Sequence, residues 1–193
     1  MRIVAGRLRG RRLDAPGGTT TRPTTDRVRE AVFSVLSSLA GPQLGGGPVL
    51  DGFAGSGALG LEALSRGAGP VTFVERDGAA CAIVSANIEA LGVGGDCRVL
   101  RGDLFSLARR GIAGAPFALL LLDPPYTLDP TTVTELLEGL ERAGALTDEC
   151  YVMWEHSSQA CVEWPPGFDV LAEKRYGTTH VCFAVHEGRA GEQ

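Results

Sequence analysis

The tetrapeptide Asp123-Pro124-Pro125-Tyr126 combines residue types that can hold a planar amino group. It directly follows an apolar run over 117–122, which predicts a buried strand. The two prolines fix φ, favour an extended conformation in the residue before each of them and withhold two backbone N–H groups. The Asp123 carboxylate and the Pro124 carbonyl can therefore accept hydrogen bonds from one NH2 group, while the Tyr126 ring can stack on the attached base. The alternative is a buried strand that ends in an ordinary proline turn.

A glycine-rich segment nearer the N terminus, over 49–60, has the pattern of a short apolar strand, a tight turn and a helix start. Gly55 and Gly57 permit close approach of a ligand to the backbone, and the following helix can point N–H groups at an anion. Together with Gly60 they match the dinucleotide fingerprint, a match that is weak by itself. The next apolar strand ends at Glu75, where an acid suits ribose hydroxyls. These features predict an adenosine-type cofactor without identifying it.

Further acids at predicted strand ends favour S-adenosylmethionine over NAD. Asp51, before the glycines, would repel a pyrophosphate but could attract the amino group of a methionine moiety. Asp103 follows the third predicted strand and can accept a hydrogen bond from an adenine amino group. The predicted cofactor-binding residues are Asp51, Gly52, Ala54, Gly55, Gly57, Glu75, Arg76, Gly102 and Asp103, and no metal ligand is predicted.

With these motifs the chain resembles the class I S-adenosylmethionine methyltransferases, in the branch that methylates exocyclic amino groups. The opening Met1–Gly6 and the R-P-T-T-D-R-V-R-E-A-V-F segment over 22–33 are similar to the bacterial RsmD family, whose members methylate N2 of one guanine in small-subunit (16S) ribosomal RNA. The resemblance extends from residue 1 to about residue 187, and R-P-T-T-D-R-V-R-E is its specific part. It implies S-adenosylmethionine as cofactor and 16S rRNA, within a small subunit or an assembly intermediate, as partner.

The predicted reaction is direct displacement at the sulfonium methyl by an exocyclic nitrogen, with Asp123, Pro124 and Tyr126 as the catalytic residues. Hydrogen bonds from the amine to Asp123 and Pro124 would aim the nitrogen lone pair, which is otherwise delocalised into the ring. Tyr126 would stack on an extruded base. His156 and His180 are candidate proton acceptors, although an isolated histidine near a strand is more often structural.

Charge along the chain is asymmetric. The net charge is −5, but residues 1–30 carry eight arginines against three acids, a net +5, so the remainder carries −10. Such a basic segment suggests contact with a polyanion, and we expect this arm to bind RNA separately from the cofactor site. The alternative is a solvated tail in a chain with a single lysine, Lys174. The predicted RNA-binding residues are Arg7, Arg9, Arg11, Arg12, Arg22 and Arg27.

Alternating strands and helices from residue 48 onward predict an α/β fold of the Rossmann-like class I methyltransferase type. The alternation predicts a seven-stranded, mostly parallel sheet with helices on both faces, and short alternating segments over 2–5 and 11–14 predict a small N-terminal β-hairpin before the first helix. We divide the chain into a basic RNA-binding extension (1–42), a cofactor-binding core (43–187) and a disordered tail (188–193). The first helix is expected to begin at Asp26 as its N-cap, and Asp129 and Pro130 to begin a later helix.

Composition agrees with one globular domain. The chain has 193 residues, of which 44% are hydrophobic, and it shows neither an 18-residue apolar run nor a signal-peptide pattern. We therefore expect a cytoplasmic, monomeric protein that does not enter a membrane. The five cysteines lack C-x-x-C spacing and predict reduced thiols without disulfides or zinc.

Other functions stay open at this stage. D-P-P-Y also occurs in DNA adenine-N6 and protein glutamine-N5 methyltransferases, although no target-recognition domain for DNA is evident. A non-catalytic RNA-binding assembly factor could retain the fold, and an NAD oxidoreductase is a more distant alternative.

Overall fold

The computed structural model describes residues 1–15 and 25–188. The strands are β1 (Val49–Asp51), β2 (Val71–Glu75), β3 (Cys97–Arg101), β4 (Phe117–Leu122), β5 (Leu146–Ser157), β6 (Phe168–Tyr176) and β7 (Thr179–Glu187). The helices are α1 (Asp26–Ala40), α2 (Ala58–Ser65), α3 (Gly78–Leu91), α4 (Leu104–Arg110) and α5 (Pro130–Arg142). Within these described residues, no helix is both long enough and apolar enough to cross a lipid bilayer.

All seven strands form one sheet in the order β3-β2-β1-β4-β5-β7-β6. Strands β1 to β5 run parallel, whereas β7 lies antiparallel to both β5 and β6. The predicted Rossmann-like fold is therefore confirmed. Because the carboxyl ends of the parallel strands lie at one edge of the sheet, the acids that end or follow β1, β2 and β4 come together there.

Helices cover both faces of the sheet, which explains the uninterrupted apolar run of β4. Every residue of β4 is buried, as expected for a central strand with helices on either side. One apolar cluster joins α1, α2 and α3 to the sheet and includes Ile3 and Leu13 from the N-terminal segment. The other joins α4 and α5 to the opposite face.

The helix starts follow their capping residues. Asp129 accepts a hydrogen bond from the N–H of Thr131 and precedes Pro130, as predicted. The prediction for α1 was wrong by one residue, because Thr25 is the N-cap and accepts from the Val28 N–H. Asp26 is instead the first helical residue, where its negative charge interacts favourably with the helix dipole.

The N-terminal segment forms a tight antiparallel loop rather than a hairpin of two regular strands. Arg2 and Arg12 form an isolated bridge, while Ile3 and Leu13 are buried against the core. Gly6 adopts a φ of +80°, and a Cβ there would lie 1.9 Å from the Ser65 carbonyl oxygen. The loop therefore passes too close to the end of α2 for a larger residue.

A buried carboxylate, Glu62 on α2, holds this segment to the core. It is fully buried and accepts the N–H groups of Val4 at 2.8 Å and Ala5 at 3.0 Å. Arg66 donates to it at 2.9 Å, and Arg29 Nε lies 3.8 Å away. These partners compensate for the loss of hydration that a buried charge suffers.

Candidate active site

Glu75, at the end of β2, organises the glycine loop between β1 and α2. Its Oε2 accepts the Gly55 N–H at 2.9 Å, and its Oε1 accepts the Asp77 N–H at 2.8 Å. Gly55 and Gly57 have φ values of +55° and +77°, a region that favours glycine. The sequence predicted Glu75 as a ribose ligand, and the structure shows that its carboxylate also fixes the loop on which the cofactor would lie.

Asp51 lies beneath the same loop and is almost fully buried. Its Oδ2 accepts the Gly60 N–H at 2.9 Å. Burial raises the pKa of Asp51 to about 7; the Gly60 hydrogen bond opposes this rise, and the nearby charge of Glu75 adds to it. The carboxyl group therefore exchanges its proton near neutral pH in the ligand-free protein.

The remaining predicted cofactor residues differ in position. Asp103 begins α4 as its N-cap and uses Oδ1 to accept the Ser106 N–H, while Gly102 donates its N–H to the Glu75 carbonyl. Arg76 follows β2 and is exposed. All three nevertheless lie at the carboxyl edge of the sheet, just beyond the ends of β2 and β3.

Two of the glycines have a packing role. A Cβ on Gly52 would lie 2.8 Å from Cδ2 of both Leu104 and Leu122, and one on Gly60 would lie 2.4 Å from the Phe73 ring. Ala54 is buried and donates its N–H to a β2 carbonyl. These small residues let α2 and α4 approach the sheet, so their size does not by itself indicate ligand contact.

The D-P-P-Y turn begins where β4 ends. Pro124 is buried and Tyr126 is 52% exposed. Within the described part of the chain, no donor reaches the Pro124 carbonyl, so its predicted role as an acceptor for a ligand stays a prediction. Loss of hydration raises the pKa of Asp123 well above its ordinary value, and the charges of Glu155 and Asp51 raise it further.

Glu155 is a site residue that the sequence interpretation did not identify. It lies on β5, is 5% exposed, and its Oε1 accepts the Tyr126 hydroxyl at 3.1 Å. The same hydroxyl lies 2.8 Å from Thr179 Oγ1 at the start of β7. The sequence feature that could have identified Glu155 is its position directly after the apolar run over 151–154, in the first strand after D-P-P-Y.

Beside the turn lies a cavity of about 250 Å³. Its walls are Pro124, Pro125, Tyr126, Leu128, Pro130, Val133, Trp154, His156, Ser157, Gln159 and Ala160. His156 Nδ1 lies 2.9 Å from its neighbour's carbonyl and Nε2 lies 3.2 Å from Cys182 Sγ. These contacts support the structural alternative for His156.

The arginines of the N-terminal segment fall into two groups. Arg7 pairs with Asp96 at 3.0 Å, and Arg11 donates to the Ala90 carbonyl at 2.5 Å. Arg9, Arg12 and Arg27 are exposed, and their guanidinium groups make no hydrogen bond or ion pair with the described residues. Arg22 lies outside the described residues, as do 189–193 of the predicted tail.

Arg29 is not a surface residue, although it contributes to the basic charge of the first thirty residues. Its side chain is buried, donates to the Arg2 carbonyl and pairs with Asp26 at 2.7 Å. The exposed positive charge of this segment is therefore smaller than the sequence count suggests.

A seven-stranded sheet with an antiparallel β7, a glycine loop after β1, an acid after β2 and D-P-P-Y after β4 together define a class I S-adenosylmethionine-dependent methyltransferase. The sequence model of a family described as "Conserved hypothetical protein 95" matches residues 1–185. The chain belongs to this family, which confirms the RsmD-type resemblance.

Named relatives agree with this assignment. The chain is 40% identical over 156 residues to Ribosomal RNA small subunit methyltransferase D of Escherichia coli, covering 80% of this chain and 74% of the relative. It is 36% identical over 193 residues to YlbH of Bacillus subtilis, a protein named as an rRNA methyltransferase. The match covers 97% of this chain and 100% of the relative. A solved E. coli structure, named as methyltransferase yhhF, superposes with a TM-score of 0.81 at 35% identity. The superposition covers 98% of this chain and 99% of the E. coli chain.

Proposed function

We propose that this protein transfers a methyl group from S-adenosylmethionine to the exocyclic N2 of one guanine in 16S rRNA. The observation that carries the proposal is the proximity of Asp123, the first residue of D-P-P-Y, to Asp51 at the glycine loop, in a chain that belongs to the RsmD-type family. The E. coli relative is named for the small ribosomal subunit, which supports a small subunit or assembly intermediate as substrate. We propose that the enzyme acts as a cytoplasmic monomer.

The residues present fit S-adenosylmethionine better than a pyrophosphate cofactor. Asp51 lies close to Glu75, whose charge raises the pKa of Asp51, and close to Asp123, whose pKa the Asp51 charge raises in turn. Three neighbouring carboxyl groups favour a ligand with ammonium and sulfonium charges and repel a pyrophosphate. Glu75 and Asp103 would hold the ribose and the adenine, Asp51 the amino group, and Gly55 and Gly57 the close backbone approach.

S-adenosylmethionine supplies an electrophilic methyl group. Asp123 and Pro124 accept hydrogen bonds from the guanine amine, orient its lone pair and stabilise the positive charge that develops on nitrogen. Tyr126 presents a partly exposed ring on which the extruded base stacks. Pro124 and the β4 residues are buried and Asp123 is half-buried, so the carboxylate acts in a medium of reduced dielectric.

We also propose that residues 1–42 serve as the RNA-binding extension of a core over 43–187. The support is the exposed side chains of Arg9, Arg12 and Arg27, which lack protein partners among the described residues. Phosphate contacts of this kind would position the ribosomal RNA without reading its sequence.

Labelled methyl transfer tests the function directly. Small subunits from a strain without the endogenous methyltransferase, naked 16S rRNA and duplex DNA are incubated with labelled S-adenosylmethionine, and the modified base is mapped. We expect N2-methylguanine at one position of 16S rRNA, with the Asp123→Ala variant as the negative control. Label in adenine of the DNA, or no transfer to either RNA substrate, would contradict the proposal.

A further inference from the structure

Glu155 occupies the position on β5 that faces the reacting end of β4. Leu122 pairs with Trp154 in the parallel register, so the next step along both strands brings Asp123 alongside Glu155. On the other side of β5, the residue opposite Glu155 is the uncharged Val181 of β7. Glu155 is therefore a buried carboxyl group that lies beside Asp123 and Tyr126 of the D-P-P-Y turn.

Glu155 also determines the position of the Tyr126 ring. The ring is half exposed, but its hydroxyl is fixed by Glu155 Oε1 at 3.1 Å and Thr179 Oγ1 at 2.8 Å. Since Thr179 pairs with Ser157 between β7 and β5, both anchoring groups belong to one rigid part of the sheet. An exposed aromatic ring with an anchored hydroxyl offers a stacking surface that loses little conformational entropy on binding.

We propose that Glu155 is a positioning residue for methyl transfer, which anchors Tyr126 against the target base and keeps a second negative charge beside Asp123. This inference rests on the proposed function of the same site. The two contributions act through different neighbours, because one is a hydrogen bond to Tyr126 and the other is a charge beside Asp123.

The charge would act when the amine loses its proton. As the N–C bond forms and the C–S bond breaks, the electron pair of that bond passes to sulfur and the nitrogen becomes positive. Asp123 then takes one N–H proton, which leaves a neutral methylated amine and a protonated carboxyl group. The ionisable groups around Asp123 are Glu155 on β5, Asp51 on β1 and Tyr126 on the same turn, and the two carboxylates make Asp123 a stronger base.

Two variants separate these contributions. In Glu155→Gln the amide oxygen can still accept the Tyr126 hydroxyl, but the charge is lost. We expect kcat to fall about 10- to 100-fold, with RNA affinity in the presence of S-adenosylhomocysteine within about threefold of wild type. The acid limb of the kcat profile should move to lower pH, because Asp123 loses a neighbour that raises its pKa.

Tyr126→Phe has the opposite pattern, because it keeps the ring and the Glu155 charge but loses the hydroxyl. We expect weaker RNA binding and a KM raised about three- to tenfold, with the acid limb of the profile unmoved. This variant changes a half-exposed residue, so it tests the anchor even if the Glu155 variant fails to fold.

Glu149→Gln is the matched control. Glu149 also lies on β5 and also accepts a tyrosine hydroxyl, that of Tyr151 at 2.5 Å, but it lies toward the opposite edge of the sheet. We expect wild-type kcat, KM and pH dependence from it. If Glu155→Gln has the same kcat, KM and pH dependence as Glu149→Gln while the wild type methylates RNA, the role of Glu155 is refuted and the proposed function stands. If the wild type transfers no methyl group to RNA, the proposed function itself is refuted.

Discussion

Asp14 and Asn87 exchange two hydrogen bonds between the N-terminal segment and α3. The Asp14 N–H donates to Asn87 Oδ1 at 2.8 Å, and Asn87 Nδ2 donates to the Asp14 carbonyl at 3.0 Å. Asn87 Nδ2 also donates to the carbonyl of Ser56, inside the glycine loop, at 3.0 Å. One buried amide thus joins the basic segment to the cofactor loop, which argues against the expectation that RNA and cofactor binding are independent.

We predict that Asn87→Ala weakens the binding of both ligands. Three hydrogen bonds are lost, among them the buried one that holds the Ser56 carbonyl of the glycine loop, so affinity for S-adenosylhomocysteine should fall about tenfold or more. Calorimetry measures this effect, and a filter-binding assay measures the accompanying loss of RNA affinity. Ser85→Ala, on the exposed face of the same helix, is the control. Unchanged cofactor affinity in the Asn87 variant would show that the loop keeps its conformation without the amide.

The proposed RNA-binding role of the N-terminal segment can be tested without disturbing the packing of that segment. Replacing Arg9 and Arg12 with Ala removes no described hydrogen bond or ion pair, so the fold and cofactor affinity should be unaffected. If each contacts a phosphate, the slope of log affinity against log salt should become shallower by about 1.5 to 2. The control replaces Arg109 and Arg110, exposed at the far end of α4. Equal slopes in the two double variants would show that RNA binds elsewhere.

The role of Asp123 predicts a loss of rate with little loss of cofactor. Asp123→Ala removes an acceptor for the target amine, and loss of one such group typically costs about 10²–10³ in rate. Asp123→Asn keeps a side-chain oxygen and should retain more activity than Ala. Single-turnover transfer measures the rate, and S-adenosylhomocysteine binding should remain within about threefold of wild type. Transfer at the wild-type rate in the Ala variant would refute the assignment.

The pKa of Asp51 predicts that cofactor affinity depends on pH. Because the pKa is about 7 and the ligand's ammonium group favours the ionised carboxylate, affinity should fall as pH decreases below 7. The limiting slope is about tenfold per pH unit. Asp51→Asn should bind more weakly at pH 8 and lose this slope. Calorimetry from pH 5.5 to 8.5, a window of about 1.5 units on either side of the pKa, measures both.

The same shift predicts the pH dependence of stability in the ligand-free protein. An acid whose pKa is raised on folding stabilises the fold below its unfolded pKa and loses that contribution as pH rises through the folded pKa. Asp51 should therefore destabilise the fold above pH 7, and Asp51→Asn should raise the free energy of unfolding at pH 8 by up to about 4 kcal/mol. Denaturant titrations at pH 5 and pH 8 compare the two proteins. An equal effect at both pH values would contradict the assigned pKa.

Local patterns predicted most of the elements, because apolar runs and capping residues act over short distances. The bounds of β4 and the start of α5 agree with the sequence. Glu155 was missed because its importance depends on which strand lies next to β4. Arg29 was counted among the surface charges because an arginine in an amphipathic helix gives no local sign of a buried carboxylate from α2.

Gly52 and Gly60, at the candidate site, also have roles that local sequence patterns do not predict. A glycine-rich turn predicts backbone freedom, which Gly55 and Gly57 use. Whether a glycine faces a ligand or a neighbouring side chain depends on how α2 and α4 pack on the sheet, and this arrangement involves residues distant in sequence.

The buried carboxylate of Glu62 imposes an order on the biosynthesis of the protein. The backbone groups that it accepts belong to Val4 and Ala5, which leave the ribosome 58 and 57 residues earlier. Val4 and Ala5 cannot make these hydrogen bonds until α2 has emerged from the ribosome. The segment therefore reaches its final contacts only after the glycine loop that precedes α2 has been translated.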